Sequence, residues 1–295
     1  MQLKFLYNPR IKRILRSLLG QTLYLKMVSF PHSSAMVSLR KWIFNLGLTY
    51  PYRSVPAAVA IETNAYCNRR CPYCPNYKYD LRSDKSANMS ERLFHKIIDE
   101  LAELSYYRTI YFNIYNEPLT DKRLPELVGY TRYKLPKTTI EIYTNGDYLD
   151  YNLYGLLLEK GTDRFIISIH GEKPSSKFSE TLAKLSYKEK TAHLLIKNVY
   201  DDYKNGRDSF FNRGGVIKIN ERLQNSKPCE YVLACNIDFK GNVILCCNDY
   251  LGEHVFGNVN NQSLRDIWSD KNYMGLRTRI AFGYRDLPIC RICNI

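Results

Sequence analysis

At 295 residues, 45% of them apolar, the chain is long enough for one large α/β domain with a small appendage. No run approaches the roughly 18 apolar residues of a membrane-spanning helix, and the basic start "MQLKFLYNPRIKRILRSLLG" does not read as a cleaved export signal. Nine cysteines and a net charge of +14 then point to a reducing, cytoplasmic setting, where clustered thiols mean metal or redox chemistry rather than disulfides.

The charge is concentrated at the start. Nine of the 43 Lys and Arg residues fall within residues 1–56, which hold no Asp or Glu. Ile11, Ile14, Leu15, Leu18 and Leu19 recur at helical spacing beside Lys12, Arg13 and Arg16. A helix packed on the main domain with a solvated basic face is one reading. Peripheral association with an anionic membrane surface is the other. No groove-reading or base-stacking motif accompanies the charge, so nucleic acid is not an expected partner.

From residue 57 strands and helices alternate. "AAVAIET" (57–63) reads as a buried parallel strand. "SERLFHKIIDELAEL" (90–104) reads as a helix capped by Ser90 with Leu93, Phe94, Ile97, Ile98 and Leu101 on one face. Strands follow at 108–115, 138–144 and 164–170, with helices near 121–133 and before Gly161. Further on, 193–203 is expected as a helix and "GVIKIN" (215–220) as a strand. The pattern predicts parallel βα units in an open sheet or a barrel.

In such folds ligands sit at the carboxyl ends of the strands. The first strand runs into "CNRRCPYC" with Cys67, Cys71 and Cys74, and the second into "YNEP" with Glu117. The third ends in "TNGD" with Asn145 and Asp147, and the fourth in Ser168 and His170. Three clustered thiolates suit a cubane cluster with one iron left open to another ligand.

C-x3-C-x-aromatic-C after the first strand resembles the radical S-adenosylmethionine (radical SAM) enzymes. The resemblance implies a [4Fe–4S] cluster on Cys67, Cys71 and Cys74 whose open iron chelates S-adenosylmethionine (AdoMet). One-electron cleavage of the sulfonium then yields a 5′-deoxyadenosyl radical that abstracts a substrate hydrogen. "YNEP" is similar to the family's Gly-Gly-Glu-Pro turn, with Tyr115 and Asn116 in place of the glycines. It places Glu117 on the AdoMet ammonium, Asn116 and Asn145 in the same site, Tyr73 against the adenine, and Ser168 and His170 at the ribose or substrate. A partial, abbreviated (β/α)6-like barrel is the implied fold.

The last 70 residues carry Cys229, Cys235, Cys246, Cys247, Cys290 and Cys293. C-x11-G-x4-C through Gly241, followed by C-x2-C, resembles the SPASM or twitch extension of radical SAM enzymes, a hairpin-plus-helix domain. That implies a second, auxiliary [4Fe–4S] cluster on Cys229, Cys246, Cys290 and Cys293. A structural zinc knot is the alternative for four such cysteines. Cys247 competes with Cys246, and the spacing from Gly241 favours Cys246. Cys235 alternates with Leu233, Ile237 and Phe239 and reads as core.

The expected organisation is a basic extension (1–56), a barrel (57–224) and an auxiliary-cluster domain (225–295). The expected activity is oxidation of a small molecule, sugar or aminocyclitol-like, since residues 1–56 are too short for a winged-helix peptide-recognition domain. A radical SAM peptide maturase is the alternative, and a noncatalytic iron–sulfur or zinc protein the alternative of another class. The resemblance also implies an electron donor such as flavodoxin or ferredoxin.

Overall fold

Apolar side chains at alternate strand positions give the sheet one dry face. In β1 (Ala58–Ile61), β2 (Thr109–Tyr111), β3 (Thr139–Thr144) and β4 (Arg164–Ile169), that face is Val59, Ile61, Ile110, Ile140, Ile142, Phe165 and Ile167, all shut off from solvent. The alternates Tyr111, Glu141, Tyr143 and Ser168 are only half-buried. The structure is a computed structural model that describes residues 55–79, 83–205, 211–218 and 228–294. The expected basic helix over 11–19 lies outside the described residues.

The helices that connect these strands pack on the dry face. A four-residue helix α1 (Pro75–Lys78) closes the cysteine loop. Then α2 (Glu91–Glu103) buries Leu93, Phe94, Ile97, Ile98 and Leu101, and its cap is Ser90, whose Oγ accepts from Leu93 N at 3.2 Å. Next come α3 (Leu124–Lys134), with Pro125 in its first turn, and α4 (Tyr151–Glu159), capped by Asp150. The chain leaves α4 at Gly161, whose φ of 113° no β-carbon tolerates easily. Helix α5 (Ser176–Lys184) covers Gly146 with Phe178, and α6 (Tyr187–His193) follows behind a Ser186–Glu189 capping box.

Two expectations between residues 193 and 220 are corrected. "LLIKN" is not helical: it forms the edge strand β5 (Leu194–Asn198), paired in parallel with β4 from Phe165↔Leu194 to Ile169↔Asn198. Only after it does the chain turn into α7 (Val199–Lys204). Pairing along a whole neighbouring strand overrides a helical-looking pattern. Residues 215–218, in turn, form no strand. Gly214 and Gly215 take φ of 63° and 88°, directly after Arg213 at 50°, and this left-handed run is a turn rather than an extended segment.

The C-terminal portion adds β6 (Ala234–Ile237), β7 (Asn242–Ile244) and β8 (Val255–Asn258), then α8 (Leu264–Ser269), α9 (Lys271–Ala281) and α10 (Pro288–Ile292). The β6–β7 pair is the expected hairpin, its turn closed by Gly241 at φ 87°. One feature was not expected. β6 also pairs in parallel with β1, from Ala58↔Ala234 to Ile237 opposite Ile61. One eight-stranded sheet results, in the order β5-β4-β3-β2-β1-β6-β7-β8. Strands β1 to β5 advance in one direction with their helices on one side, the winding of a barrel wall rather than of a doubly wound sheet.

Candidate active site

Beyond β1 the chain crosses the upper rim of the sheet as a loop and delivers Cys67, Cys71 and Cys74, all half-buried. Cys74 N donates to Cys71 O at 2.9 Å, and Pro75 then starts α1 with no N–H to satisfy. Burial, with the neighbouring thiols and Glu117 adding to it, pushes the Cys67 thiol up to about 12. Burial pushes Cys71 to about 11, with Cys74 adding to the shift and Arg69 opposing it. Thiols raised in this way, as Cys67 and Cys71 are, become thiolates when a cation neutralises them. This donor set therefore fits a metal cluster.

The loop is tied to the ends of β3 and β4. Arg69 reaches Asp147 with two parallel bonds, Nε to Oδ2 and Nη2 to Oδ1, both 2.6 Å. Its Nη1 donates to His170 O at 3.1 Å. Asn68 Nδ2 donates to Asp147 Oδ2 at 2.7 Å and its Oδ1 accepts from Asn145 Nδ2 at 2.8 Å. Asn68 and Arg69 were not singled out in the sequence, because nothing local marks a loop arginine as the partner of Asp147.

The "YNEP" turn is held from inside. Glu117 is buried, and its Oε1 accepts from Thr144 Oγ1 (2.5 Å) and Leu119 N (3.1 Å) while Oε2 accepts from Asn145 N (2.8 Å). Burial pushes its carboxyl up to about 7 against these three donors. Asn116 donates to Asn64 Oδ1 at 2.7 Å and accepts from Ile114 N at 3.2 Å. The side chains of Asn116, Glu117 and Asn145 thus each have protein partners that hold the turn in shape. Tyr115 and Asn116 need no glycine here, since Ser105 and Arg213 are the non-glycine residues with positive φ among those described.

At the end of β4, Ser168 lies half-buried on the polar face, opposite Lys197. Tyr73 packs between His170, ring centroids 5.7 Å apart, and Tyr203, 4.7 Å apart. Its hydroxyl stands 2.8 Å from His170 Nδ1. Burial, with Arg69 and Arg213 opposing a positive imidazole, pushes His170 down to about 4, so at neutral pH the ring is uncharged. Which of the two donates follows the imidazole tautomer, and the same hydroxyl also hydrogen-bonds the Cys71 thiol.

The second cysteine set is built differently. Cys229, Cys246 and Cys290 are buried in an apolar cluster with Val232, Leu233, Leu245, Ile280 and Phe282. Cys293 is equally buried, and Asn248 Nδ2 approaches its sulfur at 3.8 Å. Burial drives Cys290 up to about 12, and the nearby Arg285 opposes this at Cys290 and at Cys229. Cys235 sits apart from them in the main core, fully buried beside Ile237.

Cys247, half-buried, lies near Cys229 and Cys293 as well. Arg213 acts on its thiol, which burial raises to about 11. The guanidinium of Arg213 lies 5.9 Å from the Tyr115 ring centre and is close enough to act on Cys74 as well. Tyr115 is buried, and its hydroxyl has no hydrogen-bond partner. Sequence reading missed Arg213 and Tyr115 as site residues. The expectation of a strand over 215–220 hid Arg213, and Tyr115 was read only as a replaced glycine.

The comparisons with known proteins agree with this layout. Residues 61–201 match the profile of the radical SAM superfamily, and residues 229–294 match an iron–sulfur cluster-binding domain. An S-adenosyl-L-methionine-dependent 2-deoxy-scyllo-inosamine dehydrogenase from Niallia circulans is 31% identical over 242 residues, 80% of this chain and 92% of that protein. The chain belongs to the radical SAM superfamily. The crystal structure of BtrN in complex with AdoMet and 2-DOIA superposes with a TM-score of 0.72 at 27% identity, covering 82% of this chain and 94% of BtrN. Native anSMEcpe with bound AdoMet shares the fold, at a TM-score of 0.51 and 15% identity over 77% of this chain and 84% of that one.

This radical SAM oxidoreductase therefore works with AdoMet and a [4Fe–4S] cluster, and its C-terminal domain binds auxiliary iron–sulfur. Among the described residues no three His, Cys, Asp or Glu side chains converge at the distance of a single metal ion. A cubane takes one thiolate at each iron and spreads its ligands over four corners. No helix among the described residues is long and apolar enough to cross a membrane.

Proposed function

We propose that this enzyme oxidises an alcohol of a small aminocyclitol or sugar-like ring to the carbonyl. In this reading Cys67, Cys71 and Cys74 hold the AdoMet-binding cluster, and Cys229, Cys246, Cys290 and Cys293 hold the auxiliary one. The observation that carries it is the reach of Arg213, which acts on Cys74 of the first set and on Cys247 beside the second. Tyr115 lies near cysteines of both sets in the same way. Likeness to a dehydrogenase of 2-deoxy-scyllo-inosamine supports the substrate class.

When bound, the cluster and AdoMet supply the radical that removes one hydrogen atom from the substrate carbon. The residues of the chain do the rest of the positioning. Burial keeps the Tyr115 hydroxyl, which has no hydrogen-bond partner among the described residues, protonated and shut off from solvent. Arg213 would present a positive charge to the substrate oxygen and favour loss of its proton to solvent. The remaining electron would pass to the auxiliary cluster held by Cys229, Cys246, Cys290 and Cys293, which completes the two-electron oxidation. Asn116, Glu117 and Asn145 keep the AdoMet wall in shape, Ser168 offers a hydroxyl to the ribose, and Tyr73 with His170 closes the side toward β4.

Residues 57–224 and 225–295 serve in this reading as the radical and auxiliary-cluster units, although β6 of the second completes the sheet of the first. A flavodoxin or ferredoxin supplies the electron, and the basic residues before position 56 dock on anionic lipid. Equal binding of anionic liposomes by the full chain and by residues 57–295 would count against that last point.

The deciding experiment counts iron, sulfide and zinc in anaerobically reconstituted protein and assays 5′-deoxyadenosine. About eight irons per chain are expected, and Cys71→Ala is expected to lose about four of them together with all AdoMet cleavage. Iron near four with one zinc would make the second set structural. Unchanged 5′-deoxyadenosine in Cys71→Ala would sink the assignment.

A further inference from the structure

The three residues between Cys67 and Cys71, and the two between Cys71 and Cys74, belong to no strand, and the loop has to be held by side chains. Both segments are held, and at the same place. From the first, Arg69 grips the Asp147 carboxylate with a two-pronged fork at 2.6 Å, and Asn68 adds a third bond to the same group at 2.7 Å. Asp147 is set in turn by its own N–H, which donates to Asn145 Oδ1 at 2.9 Å. From the second segment, Tyr73 Oη meets His170 Nδ1 at 2.8 Å. Arg69 Nη1 closes the figure on His170 O at 3.1 Å.

We propose that Arg69 and Tyr73 are positioning residues that clamp the cysteine loop onto Asp147 at the end of β3 and His170 at the end of β4, and so fix the three sulfurs relative to the AdoMet wall. This rests on the reading that Cys67, Cys71 and Cys74 hold the radical cluster. The bond count argues for clamping over ligand binding. Asp147 Oδ1 takes one donor and Oδ2 takes two, all from the cysteine loop. Arg69 spends its charge on that carboxylate and is not left to bind a ligand anion.

The clamp makes a specific demand on chemistry. A lysine at position 69 keeps the charge but cannot form the planar fork. A phenylalanine at position 73 keeps the ring and loses one oxygen. Neither change removes a sulfur, although Tyr73→Phe also takes away a hydrogen bond to the Cys71 thiol. Both let the loop shift against β3 and β4, and a shift on the order of 1 Å costs a reaction that depends on alignment far more than it costs folding.

The test compares Arg69→Lys, Asp147→Asn and Tyr73→Phe with the parent. It reads iron content, AdoMet affinity, the EPR spectrum of the reduced protein with and without AdoMet, and 5′-deoxyadenosine formed per product. Arg69→Lys and Tyr73→Phe are expected to keep parental iron, to change the AdoMet-dependent EPR signal, and to raise the 5′-deoxyadenosine to product ratio about ten-fold. Parental spectra and ratios in both variants would overturn the clamp. So would lost AdoMet affinity in Asp147→Asn with a parent-like Arg69→Lys, because Asp147 would then belong to the ligand. Should Arg69→Lys fail to fold, Tyr73→Phe carries the same readouts alone. Failure of the underlying reading is separate: Cys71→Ala would then keep its iron.

Discussion

The two cysteine sets of this enzyme are held by opposite means. The first lies on one short loop at the sheet rim, half-buried and fastened by charged and polar side chains from β3 and β4. In the second, Cys229, Cys246 and Cys290 are sunk in apolar packing with Leu233, Leu245, Ile280 and Phe282, and Cys293 is buried as well. The contrast follows from what each set has to do. A cluster that exposes one iron to a charged cosubstrate needs an open, polar rim. A cluster with all four ligands from the chain can be closed off, and a dry shell with few charges is one lever on its potential. Arg213 stands where the two environments meet.

The largest test of this contrast is at the adjacent pair Cys246 and Cys247. Cys246 belongs to the apolar cluster with Cys229 and Cys290, whereas Cys247, only half-buried, is near Cys229 and Cys293 and also close to Arg213. Cys246→Ala is expected to lose about four irons and all product, with AdoMet cleavage retained. Cys247→Ala is expected to keep its iron. Iron analysis of the two variants decides which thiol is the ligand.

Glu117 gives the next effect, on stability. Its buried carboxyl has a folded pKa of about 7, raised by burial from 4.5. A raised acid is most comfortable protonated, so its contribution is full below about 4.5 and is lost as pH climbs to about 7. That is about 3 kcal/mol at 1.36 kcal/mol per pKa unit. Thermal melts from pH 5 to 8 should fall in the parent and run flatter in Glu117→Gln. Equal slopes would refute the burial argument.

Arg213 comes third. Losing a charged hydrogen bond to the substrate oxygen costs about 2 kcal/mol, or about thirty-fold in rate. Arg213→Gln should slow product formation by that amount and leave uncoupled 5′-deoxyadenosine unchanged. A matching fall in both would place Arg213 in the AdoMet site instead.

How much of this was readable beforehand differs between the halves for a physical reason. Local signals survived: Ser90 as a cap, Gly161 as a helix stop, the thiol spacings, and polar residues at four strand ends. Long-range pairing did not. The Arg69–Asp147 fork joins residues 78 apart in sequence, and no local pattern announces it. "LLIKN" read as helix because its register with β4, not its own periodicity, makes it a strand. β6 read only as half of a hairpin, since its parallel partner β1 lies at the far end of the domain in sequence. Asn116, Glu117 and Asn145 were legible as polar groups at the rim, but their protein partners, Asn64, Thr144 and Asn68, were not, because each lies far off in sequence.

The smallest effect expected is at Cys235, and it separates ligand from packing most cleanly. This cysteine is as buried as any ligand and its thiol is also pushed up to about 12 by burial. It nonetheless stands on β6 opposite Val59 of β1, among Ile237 and the main core rather than among the other sulfurs. A buried thiol of this kind behaves as a small hydrophobe. Cys235→Ala should therefore cost about 1 kcal/mol of stability, lower the melting temperature slightly, and leave iron, sulfide and product formation at parental levels. Loss of iron would move Cys235 into the auxiliary set and break the division between the main core and the cluster shell.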